Sequence, residues 1–252
     1  MPALFVGHGS PMNAIEENDV RRTWSELGAR LPRPRSILCV SAHWETRGVR
    51  LTASPSPETI HDFVGFPQAL FDVRYPAPGD AALARRAADL LAAHGARLDP
   101  ERGLDHGAWS FLLAMYPEAD VPVVQLSLDT SRPGSFHYDL ARALRPLRAE
   151  GVLVVGSGNI VHNLRLLDRR RSEPLDWALR FDLEARRRIL AREHGGLVEV
   201  GSFGPDALLA VPTPEHYLPL LYAVGVQREY EPIALFNTSV AGSISMTSVL
   251  IG

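Results

Sequence analysis

Short apolar runs alternate along this chain with longer segments of helical period. ALFVG (3–7), SILCVSA (36–42), VPVVQLSL (121–128), VLVVGSG (152–158) and PIALFNTSV (232–240) have the length and β-branched content of strands buried on both faces. DAALARRAADLLAAHG (80–95) puts Leu83, Ala87, Leu90 and Leu91 on one helical face, with Asp80 where an N-cap belongs. PLDWALRFDLEARRRILAREHGG (174–196) reads as a second long helix, and FHYDLARALRPLR as another amphipathic segment. The alternation predicts an α/β fold: one domain over residues 1–252, with a central, mostly parallel sheet flanked by helices on both faces. The Pro/Gly-rich stretches 55–67 and 75–79 read as ordered loops over the sheet, because neither is long enough to serve as a linker between domains. In open sheets of this kind, ligands collect outside the carboxyl ends of the strands.

Composition narrows the picture without naming a chemistry. At 46% hydrophobic residues, 252 residues supply ample core. A net charge of −3, with arginine as the only cation type, offers no basic field for a phosphate backbone, so no nucleic-acid partner is expected. The single cysteine, Cys39, sits inside an apolar run and reads as a small buried hydrophobe; one cysteine excludes intrachain disulfides and thiolate metal cages. No charged leader and no apolar stretch of membrane-spanning length is present, so a cytoplasmic protein without a membrane partner is expected.

The nine histidines carry the candidate chemistry. His8 follows the first strand in GHGS, His43 follows the second in SAHW, and His162 comes shortly after VLVVGSG in NIVHN. His216, in TPEHY, is placed in the opening turn of a helix, with Thr213 as its cap and Pro214 in its first turn. His106 lies in GLDHGAW, between glycines and before a helix. Each alone carries little weight. Together, imidazoles gathered at one rim describe a mononuclear metal centre with an acid/base beside it, since neutral imidazole is the commonest ligand for zinc, iron and copper. The other histidines have structural explanations: His94 and His194 in His-Gly pairs that end helices, and His137 as a surface residue or a support for the site. His61, in TIHDFVGFP, stays undecided.

The ordered motifs HGSPMN, SAHWE, IHDFVGFP, DHGAW, GSGNIVHNL and TPEHYLPLL span nearly the whole chain. With them the sequence resembles the DOPA-dioxygenase type of the class III extradiol ring-cleavage dioxygenases, within the LigB-like superfamily. The resemblance implies an α/β fold and a non-haem Fe(II) site that opens catechol rings with O2, some bacterial members being handled as zinc proteins. It implies His8, His43 and His216 as ligands of one Fe(II) or Zn(II), a histidine here taking the place of the superfamily's glutamate. It implies His162 as the acid/base and His106 as a second active-site histidine; tetrahedral zinc coordination adds the expectation that the His162 imidazole swings in as a fourth ligand of a resting zinc form. The aromatic residues beside these motifs, Trp44, Phe63, Phe66, Trp109 and Tyr217, are candidate walls of a planar substrate pocket, with core packing as the equal alternative. Asp62 and Asp105 are candidates for orienting the histidines, with capping or solvated loop roles as the alternative. Glu215 is explained by a helix dipole. Two other readings stand beside ring cleavage: a zinc hydrolase using metal-bound water, and a non-catalytic scaffold that retains a metal.

Overall fold

The computed structural model describes residues 1–168 and 173–252. Its strands are β1 (Ala3–Gly7), β2 (Ser36–Glu45), β3 (Arg50–Thr52), β4 (Arg97–Asp99), β5 (Val123–Leu128), β6 (Val152–Gly158), β7 (Ile233–Phe236), β8 (Val240–Ala241), β9 (Ile244–Ser245) and β10 (Ser248–Ile251). The helices are α1 (Asp19–Arg30), α2 (Gln68–Phe71), α3 (Ala81–Leu90), α4 (His106–Met115), α5 (Gly134–Leu144), α6 (Asp176–Leu190), α7 (His194–Val198), α8 (Asp206–Ala210) and α9 (Leu218–Gly225).

Eight strands form one sheet in the order β4-β3-β5-β2-β6-β1-β10-β7, while β8 and β9 make a separate small hairpin. The central four, β5, β2, β6 and β1, run parallel, and β10 and β7 add antiparallel pairs at one side. The fold is a single α/β domain, as the alternation of elements predicts. The alternation within each strand explains why both faces are covered. Leu4, Val6, Ile37, Cys39, Leu153 and Val155 pack with Trp24 of α1 and with Phe111 and Leu112 of α4. Their neighbours Ala3, Phe5, Leu38, Val40, Val152 and Val154 pack with side chains of α3, α5, α6 and α9. A strand side-chain period of two, read against a core on each side, leaves no polar face. Burying each large aliphatic side chain contributes about 1.5–3 kcal/mol, and removing one such as Leu38 would cost about 2–5 kcal/mol.

Some local expectations need correction. The run 232–240 is not one strand: β7 ends at Phe236, Asn237 takes a positive φ of 49°, and the chain turns into the β8–β9 hairpin. Likewise 174–196 is not one helix, because α6 ends at Leu190 and Arg192 takes a positive φ of 57°. His194 therefore opens α7 instead of closing a helix; its ring lies between the Tyr138 hydroxyl at 2.8 Å and Gln227 Oε1 at 2.9 Å. His137 is fully buried, not at the surface. Its Nε2–H donates to the Asp129 carbonyl, so Nδ1 accepts from the Tyr222 hydroxyl. His94 does end its segment, with Gly95 at φ 68° as the left-handed terminator. Among the described residues no helix is long and apolar enough to cross a membrane.

Candidate metal centre

The carboxyl ends of the three adjacent parallel strands β2, β6 and β1 supply the floor of the site. His8 directly follows β1, and its backbone N–H continues the ladder to the Gly158 carbonyl at 3.1 Å. Gly9, at φ 59°, turns the chain away, and Asn13 Nδ2 donates to the His8 carbonyl. His43 lies near the end of β2, on the far side of β6 from His8. His162 follows β6, its N–H bonded to the Ala210 carbonyl and its backbone bridged to Ile244 of the hairpin.

His216 reaches the same rim from the other direction, and its placement differs from the helical turn expected of it. The turn at Pro214–Tyr217 precedes α9, which begins at Leu218, and Thr213 bonds the Glu215 carboxylate instead of capping the helix. That turn sits directly on β6 because Gly156 and Gly158 carry no side chain. A Cβ at Gly156 would fall 2.0 Å from the Pro219 carbonyl oxygen, and one at Gly158 would fall 2.1 Å from that of His216. Two glycines on one face of the strand, two residues apart, clear the path for α9.

The five selected histidines converge. Ring centroids of His8 and His43 lie 5.1 Å apart, those of His8 and His216 5.5 Å, and those of His43 and His216 5.1 Å. His106, first residue of α4 after its Asp105 N-cap, approaches His43 to 3.9 Å, and His162 stacks on His216 at 3.5 Å with the planes 9° apart. His94, His137 and His194 lie in contacts of their own, away from this group. His61 bonds the Val73 carbonyl through Nε2 and packs near Phe63, Phe71 and Trp109.

Three of these imidazoles suit one divalent ion. His8, His43 and His216 each offer a ring nitrogen, and the three nitrogens lie within 4.8 Å of one another. The Nε2 atoms of His8 and His43 face each other at 3.2 Å, a spacing that ligands about 2.1 Å from one ion span at an angle of about 100°. The opposite nitrogen of each ring meets an oxygen. Ser157 donates its hydroxyl proton to the Gly107 carbonyl, so it accepts from His8 Nδ1–H at 3.0 Å and leaves the His8 Nε2 lone pair free. Asp62 Oδ2 lies 3.5 Å from His43 Nδ1, and Glu215 Oε1 lies 3.1 Å from His216 Nδ1. Burial, reinforced by the neighbouring imidazoles, pushes His8 and His216 well below the ordinary histidine value, and burial lowers His43 to about 4. All three are neutral at pH 7, the state a metal ligand requires. Two further groups, His43–Asp62–His106 and His162–Glu215–His216, bring their donor atoms equally close together. Their carboxylates are already acceptors: Asp62 from the backbone and Nδ1 of His106 at 3.0 and 2.9 Å, Glu215 from Thr213 at 2.8 Å. Burial alone would raise Asp62, but these bonds outweigh it and hold the carboxyl at about 2.

Asp105 is fully buried beneath the rim. Its carboxylate accepts from Ser41 at 2.6 Å, Gln125 at 2.8 Å, Arg102 at 3.2 Å and the Ala108 N–H at 3.3 Å. Ser41 and Arg102 in turn bond the backbone N–H and carbonyl of His43, so one buried anion holds the strand end carrying His43 and the start of the helix carrying His106.

Above the histidines opens a cavity of about 580 Å³, lined by Phe63 and Phe66 among the aromatic residues singled out from the sequence. Trp44, Trp109 and Tyr217 do not line it, a correction to their placement as pocket walls. Trp44 neighbours His43 on β2 and leaves the strand on its other side, with the Arg102 guanidinium 5.6 Å from its ring. Trp109 is one turn inside α4 and donates Nε1–H to the Ile60 carbonyl, bracing Phe63 from behind at 6.1 Å. Tyr217 is buried and donates its hydroxyl to the Leu197 carbonyl. Ser157 and the aliphatic lining Val64, Leu164, Leu167 and Ile244 are not among the residues that the sequence motifs single out. A lone serine between glycines at the end of an apolar strand is the available signal for Ser157.

Residues 2–246 match the family described as the catalytic LigB subunit of aromatic ring-opening dioxygenase. Over its full length, and 95% of the relative's, the chain is 49% identical to the 4,5-DOPA dioxygenase extradiol of Escherichia coli (strain K12). It is 40% identical to the 4,5-DOPA dioxygenase extradiol of Beta vulgaris, covering 96% of this chain and 92% of the relative. The crystal structure of an uncharacterised protein from Escherichia coli K12 superposes with a TM-score of 0.88 at 45% identity, both chains covered in full. With a histidine cluster suited to a metal at the strand ends and similarity running from end to end, the chain belongs to the LigB family and is an extradiol aromatic ring-opening dioxygenase.

Proposed function

We propose that the chain opens a catechol ring with O2 at an Fe(II) ion held by His8, His43 and His216, with His162 as acid/base and His106 as a hydrogen-bonding partner of the bound reactants. The observation that carries this reading is the convergence of the three neutral imidazoles, the His8 and His43 Nε2 atoms 3.2 Å apart, with His162 stacked against the third ring at 3.5 Å. A bound Fe(II) supplies the redox chemistry that brings O2 to react with the ring, together with open coordination positions beside three neutral ligands.

The side chains account for the rest. Asp62 accepts from His106 Nδ1–H and so turns His106 Nε2, as acceptor, towards the cavity. His162 is lowered by burial to about 4, against a raising influence of Glu215, so the free protein presents it as a neutral base. It takes the second catechol proton, and the catecholate then beside it favours the imidazolium, which returns the proton to oxygen after ring attack. Phe63, edge-on to His106 at 5.5 Å, and Phe66 supply flat apolar surface for the ring and exclude water. Family membership selects ring opening over metal-dependent hydrolysis and over a scaffold that only retains a metal.

DOPA, the compound in the names of the relatives, heads the substrate panel. Purified apoprotein is reconstituted anaerobically with Fe(II) or Zn(II), and O2 uptake and the yellow ring-opened product are followed. Uptake with Fe(II) and none with Zn(II) is expected. Equal activity with both metals, or none with any catechol, would overturn the proposal.

A further inference from the structure

Helix α6 turns an apolar stripe inward, with Ala178, Phe181, Ala185 and Ile189 buried, and Asp182 stands fully buried in the middle of that stripe. An anion at a core position loses its water and needs partners of its own. Asp182 Oδ1 accepts from the Ser245 hydroxyl at 2.5 Å, and Oδ2 pairs with the Arg186 guanidinium at 2.5 Å. Arg186 also donates to the Thr247 hydroxyl at 3.1 Å and to the Thr238 carbonyl. The pair thus grips the β8–β9 hairpin and both its flanks. A buried ion pair adds little net stability over apolar packing, and its best-attested use is to fix the register of one element on another.

The hairpin in turn holds the segment that carries His162. Ser245 N–H donates to the Val161 carbonyl at 3.0 Å, Asn163 N–H to the Ser243 carbonyl at 3.1 Å, and the Ser243 hydroxyl to the Asn163 carbonyl at 2.6 Å. Asn159 Nδ2, just past β6, donates to the Ser245 carbonyl at 2.8 Å. These bonds set His162 opposite Ile244 in an antiparallel bridge, and both residues line the cavity. The His162 ring makes no hydrogen bond among the described residues, so apart from its stack on His216 its place is inherited from this backbone. The end of the segment nearer His8 is anchored differently, because β10 is laddered to β1 and the Ser248 hydroxyl accepts from the Gly7 N–H at 2.9 Å.

We propose that Asp182, acting through Ser245, is a positioning residue for ring cleavage: it holds the hairpin against residues 159–163 and so keeps the His162 imidazole within proton-transfer reach of the substrate. The inference rests on the reading of His162 as the acid/base and adds the buried group that sets its place.

The test compares Asp182→Ala and Ser245→Ala with the parent. Ser245→Ala removes one hydroxyl and leaves the Asp182–Arg186 pair, so it reads the same contact where loss of the buried anion prevents folding. With Fe(II) loaded, kcat should fall about 10- to 100-fold in either variant, since misplacing a reacting group by about 1 Å costs about a hundredfold. Zn(II) affinity by chelator competition and the anaerobic dissociation constant of DOPA should stay within about threefold, because the loss falls on the transition state alone. Asp182→Asn, which keeps an acceptor for Ser245, should restore kcat to within about fivefold of the parent. In a His162→Phe background, Ser245→Ala should lower the residual turnover by no more than about twofold, the group it positions being gone. Hydrogen exchange of the apoprotein reads the contact without turnover: amides of 159–163 and 243–245 should exchange at least about tenfold faster in Ser245→Ala, with β1 and β2 unchanged. Faster exchange there in a protein whose parent cleaves no catechol would defeat the ring-opening reading while the anchor stands. Unchanged kcat in the folded variants, a loss that falls on metal affinity instead, or losses that multiply in the His162→Phe background would overturn the inference and leave ring opening intact.

Discussion

Gly158→Ala perturbs the metal centre without touching a histidine. The new methyl carbon would lie 2.1 Å from the His216 carbonyl oxygen and 3.0 Å from its carbon, whereas ordinary contact begins at 3.4 Å, a shortfall of about 1.3 Å. Strand β6 is paired on both sides, with β1 and β2, so the turn carrying His216 is the element that yields. That turn is also bonded to β6 through Asn159 N–H and the His216 carbonyl at 2.9 Å, a bond the displacement stretches or breaks. Overpacking of this kind costs about 1–3 kcal/mol, which in a chain of this size lowers Tm by several degrees. The functional effect should be larger, because misplacing a reacting group by about 1 Å costs about a hundredfold in rate. Calorimetry of the apoprotein, chelator competition for Zn(II) and kcat of the Fe(II)-loaded enzyme measure the three consequences separately. Gly195→Ala is the control, since a Cβ there has no neighbour within 4 Å. Metal affinity and turnover within twofold of the parent, with Tm unchanged, would refute the view that glycine clearance at β6 places His216.

The remaining predictions concern single side chains. His162→Phe should retain stoichiometric metal and bind catechol anaerobically while turnover falls by about 100- to 10,000-fold; unchanged turnover would remove His162 from the proton chemistry, and metal loss would make it an obligatory ligand. Asp62→Asn replaces one of two acceptor oxygens between His43 and His106, so metal affinity should fall about 10- to 100-fold by chelator competition. His8→Ala should abolish metal retention, whereas His94→Ala should change little; equal losses would show the histidines wrongly sorted. His137 is held by burial at about 4, below its ordinary 6.5, despite the Asp129 carbonyl's opposing pull. The folded state thus binds fewer protons than the unfolded one between these values. Stability from this residue is complete above pH 6.5 and falls away towards pH 4, by up to about 3 kcal/mol. Denaturant melts of His137→Gln should show a shallower loss over that window, and parallel pH profiles would refute the assignment.

The strands were legible because their signal is local. Runs such as Ala3–Gly7 and Val152–Gly158 are apolar at every position but one or two, which only a sheet covered on both faces satisfies. His8 and His43 could be placed for the same reason, as polar residues at or just beyond such runs, and the motif order joined His216 and His162 to them. Helix ends were less legible: nothing in the periodicity of 174–196 marks the positive φ at Arg192 that divides α6 from α7.

Tertiary structure alone decided what each candidate faces. A tryptophan or tyrosine beside a catalytic motif fits a pocket wall and a core equally well. The packing of α4 and of the turn before α9 buried Trp109 and Tyr217 in the core and left Phe63 and Phe66 at the cavity. Ser157 acquired its role because the parallel register sets Val6 opposite it and brings the chain at His8 within reach of its hydroxyl. Gly156 and Gly158 fall inside the strand run read from the sequence, 152–158, and only the packing shows that they serve as clearance for α9 and the turn before it. The pattern along a chain records which side chains leave water. Which of them meet across a rim depends on strand order and on how closely backbones approach, and both arise from contacts between residues far apart in sequence.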